Sequence, residues 1–429
     1  VTHLRARGEK VGLVSVKLLQ LFPEAELVAA LAGKLAVTVL ERSDQTALTQ
    51  LVSSALFKAR ENGEAGHARH AGIPAIQAIP TMTTAIFGLG GHDLQPRHLI
   101  AAFKAMAGGR GEPLIYLGSQ FFAPTDNPRL ADLQVRMKAA YPETAGMALA
   151  TEANPRLLPD SAFRIRFHSV GGYGTIASGK LLTDILAGVL DMHSKSAPKY
   201  GSEKSGAPTN YYITLSPEPI KITNAELEEV EVVISPDHKS FVHTNPLKGL
   251  AAGGTFVLQS SSTPAEAWAE LPQAFRQAIR DKQINFLIID AFAVARRHAP
   301  TPELATRMMG IAFIGAVAGH VPQVAHGATQ QAILDNVRKQ ITKKFGTKGE
   351  AVVAGNMQVI EDGIAHTQRV NYLDPALAGA ESAPAAIPVR TVGLSAAMSQ
   401  SGCTASCGLF DREYFSDMIA PPSKEGTIR

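Results

Sequence analysis

The stretch Phe163-Arg-Ile-Arg-Phe-His-Ser-Val170, followed by Gly171-Gly-Tyr-Gly-Thr-Ile-Ala177, decides how this chain is read. Apolar and polar residues alternate along its first half, as they do along a strand, and the run stops at a cluster of glycines. A helix is expected to follow, from Ser178 to Leu190. Gly172-x-Gly174-x-x-Ala177 is a G-x-G-x-x-A pattern at a strand–helix junction, where phosphate-binding loops sit. Glycine suits such a turn because it accepts positive φ and leaves the backbone open to an anion. The first N–H groups of the helix then face that anion. The pattern points to a phosphorylated ligand without choosing one; a tight turn that packs helix on strand is the plain alternative.

The alternation places Arg164, Arg166 and His168 on one polar face of the strand, which reads as a solvent-facing one. A nicotinamide site needs an acidic residue about 20 positions on, ending a second strand, to bind the ribose. Asp184 and Asp191 are the candidates, and they fall inside the expected helix and at its end. Beyond them come a basic, glycine-punctuated loop, Lys199-Tyr-Gly-Ser-Glu-Lys-Ser-Gly-Ala-Pro208, and the segment Asn210–Pro217. The strand Val230–Ser235, the turn Asn245-Pro246 and the hairpin-like Ala252-Gly-Gly-Thr-Phe-Val-Leu-Gln259 complete the order.

That order resembles the gamma-type domain of the 2-oxoacid:ferredoxin oxidoreductases, the family of pyruvate:ferredoxin/flavodoxin oxidoreductase. The likeness continues through Leu271-Pro272, Ile284–Ala291, Arg307-Met-Met, Gln330–Leu334 and Lys343–Gly349. Upstream, Leu4–Gly12, Phe22-Pro23, Ala36–Arg42, Phe87–Gly90 and Leu94–Pro96 resemble domain II of the same enzymes, a transketolase-C-terminal-like unit. The resemblance implies an α/β fold of two α/β units and an extended arm. Its divisions are 1–125 for an N-terminally incomplete domain II, 126–160 for a linker, 161–370 for the gamma, Rossmann-like domain and 371–429 for a linker or partner-wrapping tail.

The implied reaction is oxidative decarboxylation of a 2-oxoacid, pyruvate by default and 2-oxoglutarate as runner-up. Coenzyme A is the acyl acceptor and ferredoxin or flavodoxin the electron acceptor; the reverse is pyruvate synthase. By resemblance, thiamine diphosphate, Mg2+ and four-iron, four-sulfur clusters belong to the rest of a dimeric complex. Its pyrimidine-binding, thiamine-binding and iron–sulfur parts would be this chain's partners. The expected coenzyme A contacts are Gly171, Gly172, Tyr173, Gly174, Thr175, Lys204 and Ser205, with Asn245 on the pantetheine arm. Where the family has Lys-Lys-Ser-Gly-Gly, this chain has Glu203-Lys-Ser-Gly-Ala207, one charge and one glycine fewer. A nicotinamide-binding Rossmann protein and a non-catalytic scaffold subunit are the readings of other classes.

Composition agrees with a multidomain α/β chain. Its 429 residues, 45% of them apolar, give ample core for two or three domains. A net charge of +3, scattered, does not suit a nucleic-acid binder. The longest apolar run, Gly310–Val321, is too short to span a bilayer, and Val1–Lys10 lacks a signal peptide's apolar stretch. Cytoplasm is the expected location, with no membrane partner. The opening residues Leu4–Gly8 read as the end of a helix, so a fragment or a subunit is expected. Cys403 and Cys407 supply two thiolates where a four-iron cluster or a structural zinc needs four ligands, so activity in isolation is not expected.

The first unit is expected to alternate: strand Val11–Lys17, helix Glu24–Ala32, strand Ala36–Leu40, helix Thr46–Arg60, strand Ala75–Ile79, helix Arg97–Ala107 and strand Leu114–Leu117. One helix, Arg129–Ala140, is expected inside the proline-containing linker. His320 and His326, beside a Pro and a Gly, read as loop histidines. No nucleophile elbow or zinc-ligand spacing occurs.

Overall fold

The computed structural model describes residues 1–378 apart from 90–92, 109–111, 120, 123, 126–127, 150, 171, 201–207, 222–225, 239, 300–301 and 326–328. Lys204, Ser205, His326, Cys403 and Cys407 therefore lie outside the described residues, as does Gly171. Two compact units are present, Val1–Pro155 and a second beginning at Arg156.

The first unit is an α/β layer on a small parallel sheet. Strands β1 (Ala36–Glu41), β2 (Thr81–Phe87) and β3 (Leu114–Leu117) pair in that order, with Ala36 opposite Thr81 and Thr84 opposite Leu114. Helix α1 (Thr2–Arg5) opens the chain; α2 (Glu24–Leu31) and α3 (Ala47–Ala65) cover one core, where Val28, Leu31, Val39, Val52, Leu56 and Ala59 meet. Helix α4 (Pro96–Ala107) brings Ala102 onto Ala85, Ile115 and Leu117. The segment expected as a linker holds α5 (Pro128–Ala140) and α6 (Thr144–Met147), and Ala148 bridges to Tyr116 of β3.

Two expected strands are absent as ladders. Val11–Lys17 has the alternation of a strand but pairs with no other strand among the described residues, and Leu13 is 73% exposed. Ala75–Ile79 is framed by Pro74 and Pro80, which have no N–H to give a ladder. The strand starts one residue after Pro80, on the β-branched run Thr81–Phe87.

The second unit is built on a seven-stranded mixed sheet. Its strands are β4 (Phe163–Val170), β5 (His193–Tyr200), β6 (Pro208–Ser216), β7 (Val230–Ser235), β8 (Leu250–Gln259), β9 (Asn285–Ile289) and β10 (Gln368–Arg369). Their spatial order is β10-β9-β8-β7-β4-β6-β5. β4, β7, β8 and β9 run parallel; β6 is antiparallel to β4, β5 to β6, and β10 to β9. Of the expected basic loop, Lys199 and Tyr200 end β5 and Pro208 begins β6, while 201–207 lie outside the described residues. Parallel strands covered on both faces read as nearly continuous apolar runs, as Val-Glu-Val-Val-Ile and Phe-Leu-Ile-Ile do here.

One face packs Ile165, Phe167, Ile213, Val232, Ile234, Val257 and Leu287 under helices α7 (Thr175–Leu190), α11 (Ala291–His298), α12 (Pro302–His320), α14 (Gln330–Phe345) and α15 (Glu350–His366). The other packs Tyr212, Val233, Phe256 and Phe286 under α8 (Ser240–His243), α9 (Pro264–Glu270) and α10 (Gln273–Asp281), where Trp268 is fully buried. Short helices α13 (Pro322–Ala325) and α16 (Pro375–Ala378) follow α12 and β10.

The apolar run seen in the sequence is α12, whose residues from Ile311 to Ala318 are buried all round, as expected of a helix inside a core. Among the described residues no helix is long and apolar enough to cross a membrane. α12 meets α15 at glycines: a Cβ on Gly315 would stand 2.2 Å from the Ile360 carbonyl oxygen, and one on Gly363 would stand 2.4 Å from that of Ala312. Neither carbonyl can swing aside without moving its helix. Gly315→Ala is therefore expected to destabilise the second unit by about 1–3 kcal/mol, as overpacking does. Urea midpoints of the variant and the parent measure it, and unchanged midpoints would contradict the close helix contact.

Candidate functional site

β4 and β7 are parallel neighbours from which the chain departs in opposite directions. After β4 it builds β5 and β6 on one side; after β7 it builds β8 and β9 on the other. Such a switch point leaves a crevice at the carboxyl ends of the two strands, where open α/β sheets bind their ligands.

The loop leaving β4 carries the glycines. Gly172 has φ +112 and Gly174 φ +68, and both are exposed. Gly174 is the N-cap of α7 and brings no side-chain cap to the first-turn N–H groups. The helix begins at Thr175, three residues ahead of the expected Ser178. Thr175 is buried, its hydroxyl bonded to that of Ser169, which fixes the start of the helix to the end of the strand. Tyr173 is half-buried, edge-on to Phe292 with ring centroids 6.3 Å apart. Burial, then the charge of Asp237 in the loop leaving β7, push its phenol up from its ordinary value.

The expected solvent-facing ladder is a buried one. Arg166 and His168 are 5% and 4% exposed, because the segment Ser240–Pro246 lies over this face of β4. Arg166 Nη2 donates to the Pro246 carbonyl at 2.8 Å. The Thr244 hydroxyl donates to the Ser240 carbonyl at 2.8 Å, so at 2.7 Å it accepts from His168 Nε2–H. That assigns the tautomer: Nδ1 is the bare nitrogen. Nδ1 and Asn210 Oδ1 are buried without a hydrogen-bond partner among the described residues, although Asn210 stands opposite His168 in the β4–β6 register. Turning the amide end for end offers an N–H to Nδ1. Burial, and behind it the Arg166 charge, hold His168 well below the usual histidine range, with Asn210 opposing in part. Arg164 is the half-buried member and pairs with Glu231 of β7, whose Oε2 also accepts from the Arg164 backbone N–H at 2.6 Å.

Asn245 is exposed, and its Oδ1 accepts from Leu247 N–H at 3.0 Å, closing the Asn-Pro turn. The structure ties this turn to β4 through Arg166 and Thr244, and ties the glycine loop to β4 by chain continuity. Of the acids weighed for a ribose, Asp184 pairs with Lys344 and Asp191 is the left-handed C-cap of α7. Asp237, two residues past the strand Val230–Ser235 and 2% exposed, was not among the acids weighed. His320 sits in the last turn of α12, not in a loop, with Nε2 2.9 Å from the Ile364 carbonyl. Among the described residues, no group of three or more His, Cys, Asp or Glu side chains could hold a metal ion.

Two clefts lie elsewhere on the second unit. One of about 620 Å³ is at the amino ends of β8 and β9, where Arg369 bonds Asn285 and Asn285 bonds Thr255. The other, about 150 Å³, is at their carboxyl ends, lined by Ser260–Ser262, Asp290, Arg297 and His366. Its Asp290 caps α11 through Ala293 N–H, and its Arg297 pairs with Asp362.

A mixed α/β sheet with a glycine loop at its switch point is the architecture in which nucleotide- and phosphate-binding loops are found. Residues 164–366 match the family described as pyruvate ferredoxin/flavodoxin oxidoreductase. The chain is 27% identical over 378 residues to pyruvate-flavodoxin oxidoreductase of Nostoc, covering 86% of this chain and 28% of that protein. It is 26% identical over 396 residues to a putative pyruvate-flavodoxin oxidoreductase of Synechocystis, covering 91% and 29%. The chain thus spans under a third of the length of the curated relatives it matches. Among solved structures, the pyruvate oxidoreductase subunit PORC of Thermotoga maritima aligns with 49% of this chain and 99% of its own, at 18% identity and a TM-score of 0.37.

His168 provides a test of the buried ladder. A histidine that is neutral when folded and protonates near 6.5 when unfolded makes the unfolded state bind more protons as pH falls below about 6.5. The His168 contribution to stability is therefore present above that pH and is lost below it, by up to about 1.4 kcal/mol per pH unit. His168→Gln keeps a donor for Thr244 and removes the titration. Urea midpoints at pH 7 and pH 5 should converge for the variant relative to the parent; parallel pH dependence would show that His168 is not held neutral.

Proposed function

We propose that this chain supplies the coenzyme A side of a 2-oxoacid:ferredoxin oxidoreductase, with pyruvate as the 2-oxoacid. The reaction converts pyruvate and coenzyme A to acetyl-coenzyme A and carbon dioxide, two electrons leaving singly to ferredoxin or flavodoxin, or runs in reverse. The observation that carries this reading is the exposed Gly172–Gly174 backbone opening α7 at the β4–β7 crevice, inside the segment that matches the family. A phosphate oxygen of coenzyme A would take up the N–H groups of the first helical turn, which no N-cap side chain fills.

Asn245, held outward on the turn that Arg166 secures, would meet the pantetheine arm with its amide N–H2, since its Oδ1 is engaged by Leu247. Lys204 and Ser205 enter the proposal from the sequence, as a point charge and a hydroxyl near the same phosphate. Thiamine diphosphate, bound elsewhere in the complex, supplies the carbanion chemistry. Iron–sulfur clusters need four thiolates each, which Cys403 and Cys407 do not furnish, so the other domains or subunits hold them.

The test uses the assembled complex. Gly174→Val forces a β-branched residue into a left-handed backbone, about 1–2 kcal/mol of strain, and sets a side chain against the ligand. Coenzyme A affinity should fall tenfold or more, while release of carbon dioxide from the 2-oxoacid in a single half-turnover persists. Lys204→Ala should weaken coenzyme A binding less and flatten its salt dependence. Unchanged affinity in both variants would reduce the loop to a packing turn.

A further inference from the structure

The turn that carries Asn245 is held to β4 on both of its flanks. Thr244 and Pro246 are buried, while Asn245 between them is exposed. His168 Nε2–H reaches the Thr244 hydroxyl at 2.7 Å, that hydroxyl reaches the Ser240 carbonyl at 2.8 Å, and Arg166 Nη2 reaches the Pro246 carbonyl at 2.8 Å. Apolar anchors close the segment at its ends. The Phe241 ring is edge-on to Phe256 and Phe275, with centroids 5.6 and 4.6 Å apart, and Leu247 is 4% exposed. Core packing alone does not call for polar groups here. In the row of Arg166 the neighbouring strands place Tyr212, Val233 and Phe256, all buried, and an apolar side chain would complete it. Apolar contact lets a turn slide, whereas a hydrogen bond fixes a distance and a direction.

We propose that Arg166, His168 and Thr244 are positioning residues: they fix the Asn-Pro turn so that the Asn245 amide N–H2 donates to a carbonyl on the arm of a ligand whose phosphate lies on Gly172–Thr175. The inference rests on the loop being the phosphate site, as the proposed function has it. Asn245 Oδ1 is held by Leu247 N–H at 3.0 Å, and its N–H2 end, exposed and without a partner among the described residues, is open to a ligand. Both parts of the site hang on β4: Arg166 and His168 hold the turn, and Val170 leads into the glycine loop. One strand therefore sets the spacing between the phosphate end and the arm end of the ligand. Donors fixed in place before binding lose less order when the ligand arrives, and the clamp acts by that route.

The experiment is titration calorimetry on the full chain with coenzyme A and with adenosine 3′,5′-bisphosphate, which lacks the pantetheine arm. Asn245→Ser, whose hydroxyl can still accept from Leu247 N–H, should weaken coenzyme A about five- to tenfold, the scale of one hydrogen bond, and leave the bisphosphate within about twofold. Thr244→Val removes the hydroxyl and keeps the outline; it should weaken coenzyme A about fivefold with the same selectivity, and Thr244→Ser should restore it. Because Thr244 acts through Asn245, the double variant Thr244→Val/Asn245→Ser should bind no more weakly than Asn245→Ser alone. Additive losses, or equal losses for both ligands, would overturn the inference, since a residue that only supports the fold produces one or the other. Hydrogen exchange on the unliganded parent reads the same point if Thr244→Val does not fold. The Leu247 amide should be protected before coenzyme A is added, and protection that arises only with the ligand would count against the clamp. Coenzyme A binding that is indifferent to Asn245→Ser would overturn the inference alone and leave the phosphate site standing. Failure of the parent to bind either probe would overturn both.

Discussion

Strand β4 carries two cationic side chains and a histidine into a sheet that is covered on both faces, and the second unit is arranged around meeting their hydrogen bonds. An unpaired buried polar group costs about 1–3 kcal/mol and a charged one more, so none of the three can be left to itself. Arg164 is met by Glu231 from β7, Arg166 by the Pro246 carbonyl, and His168 by the Thr244 hydroxyl. Each partner comes from β7 or the segment just after it. The need to satisfy β4 thus draws the β7 connection over the sheet and sets the two carboxyl-end loops side by side.

The site follows from that arrangement with few further parts. One loop offers open backbone at the start of a helix; the other carries Asp237. Tyr173 stands in the first of these loops, its ring edge-on to Phe292. The first unit has buried polar residues of its own, such as Asn62, which bonds the carbonyls of His70 and Ile73 and closes their loop onto α3. Those bonds are spent within the fold.

Much of this was legible in the sequence, for identifiable reasons. Phe163–Val170, Val230–Ser235 and Leu114–Leu117 are strands at the expected bounds, since their apolar pattern ends in glycine, proline or serine. The strand–glycine–helix junction was equally visible. The orientation of Arg166 and His168 was not, because alternation marks two faces without saying what covers them. Val11–Lys17 shows the same limit, as a strand pattern needs a partner to become a ladder.

The β5–β6 insertion has a further consequence, in the order of assembly. Ser196 and Tyr211 meet across 15 positions of chain, within a hairpin that needs little else. Arg164 reaches Glu231 across 67 positions, and Arg166 reaches Pro246 across 80. Closing the longest of these loops costs about 1.5 kcal/mol more entropy than closing the hairpin. The hairpin therefore forms ahead and gives β4 an antiparallel neighbour on which to wait, and the crevice closes only when β7 docks on the other edge.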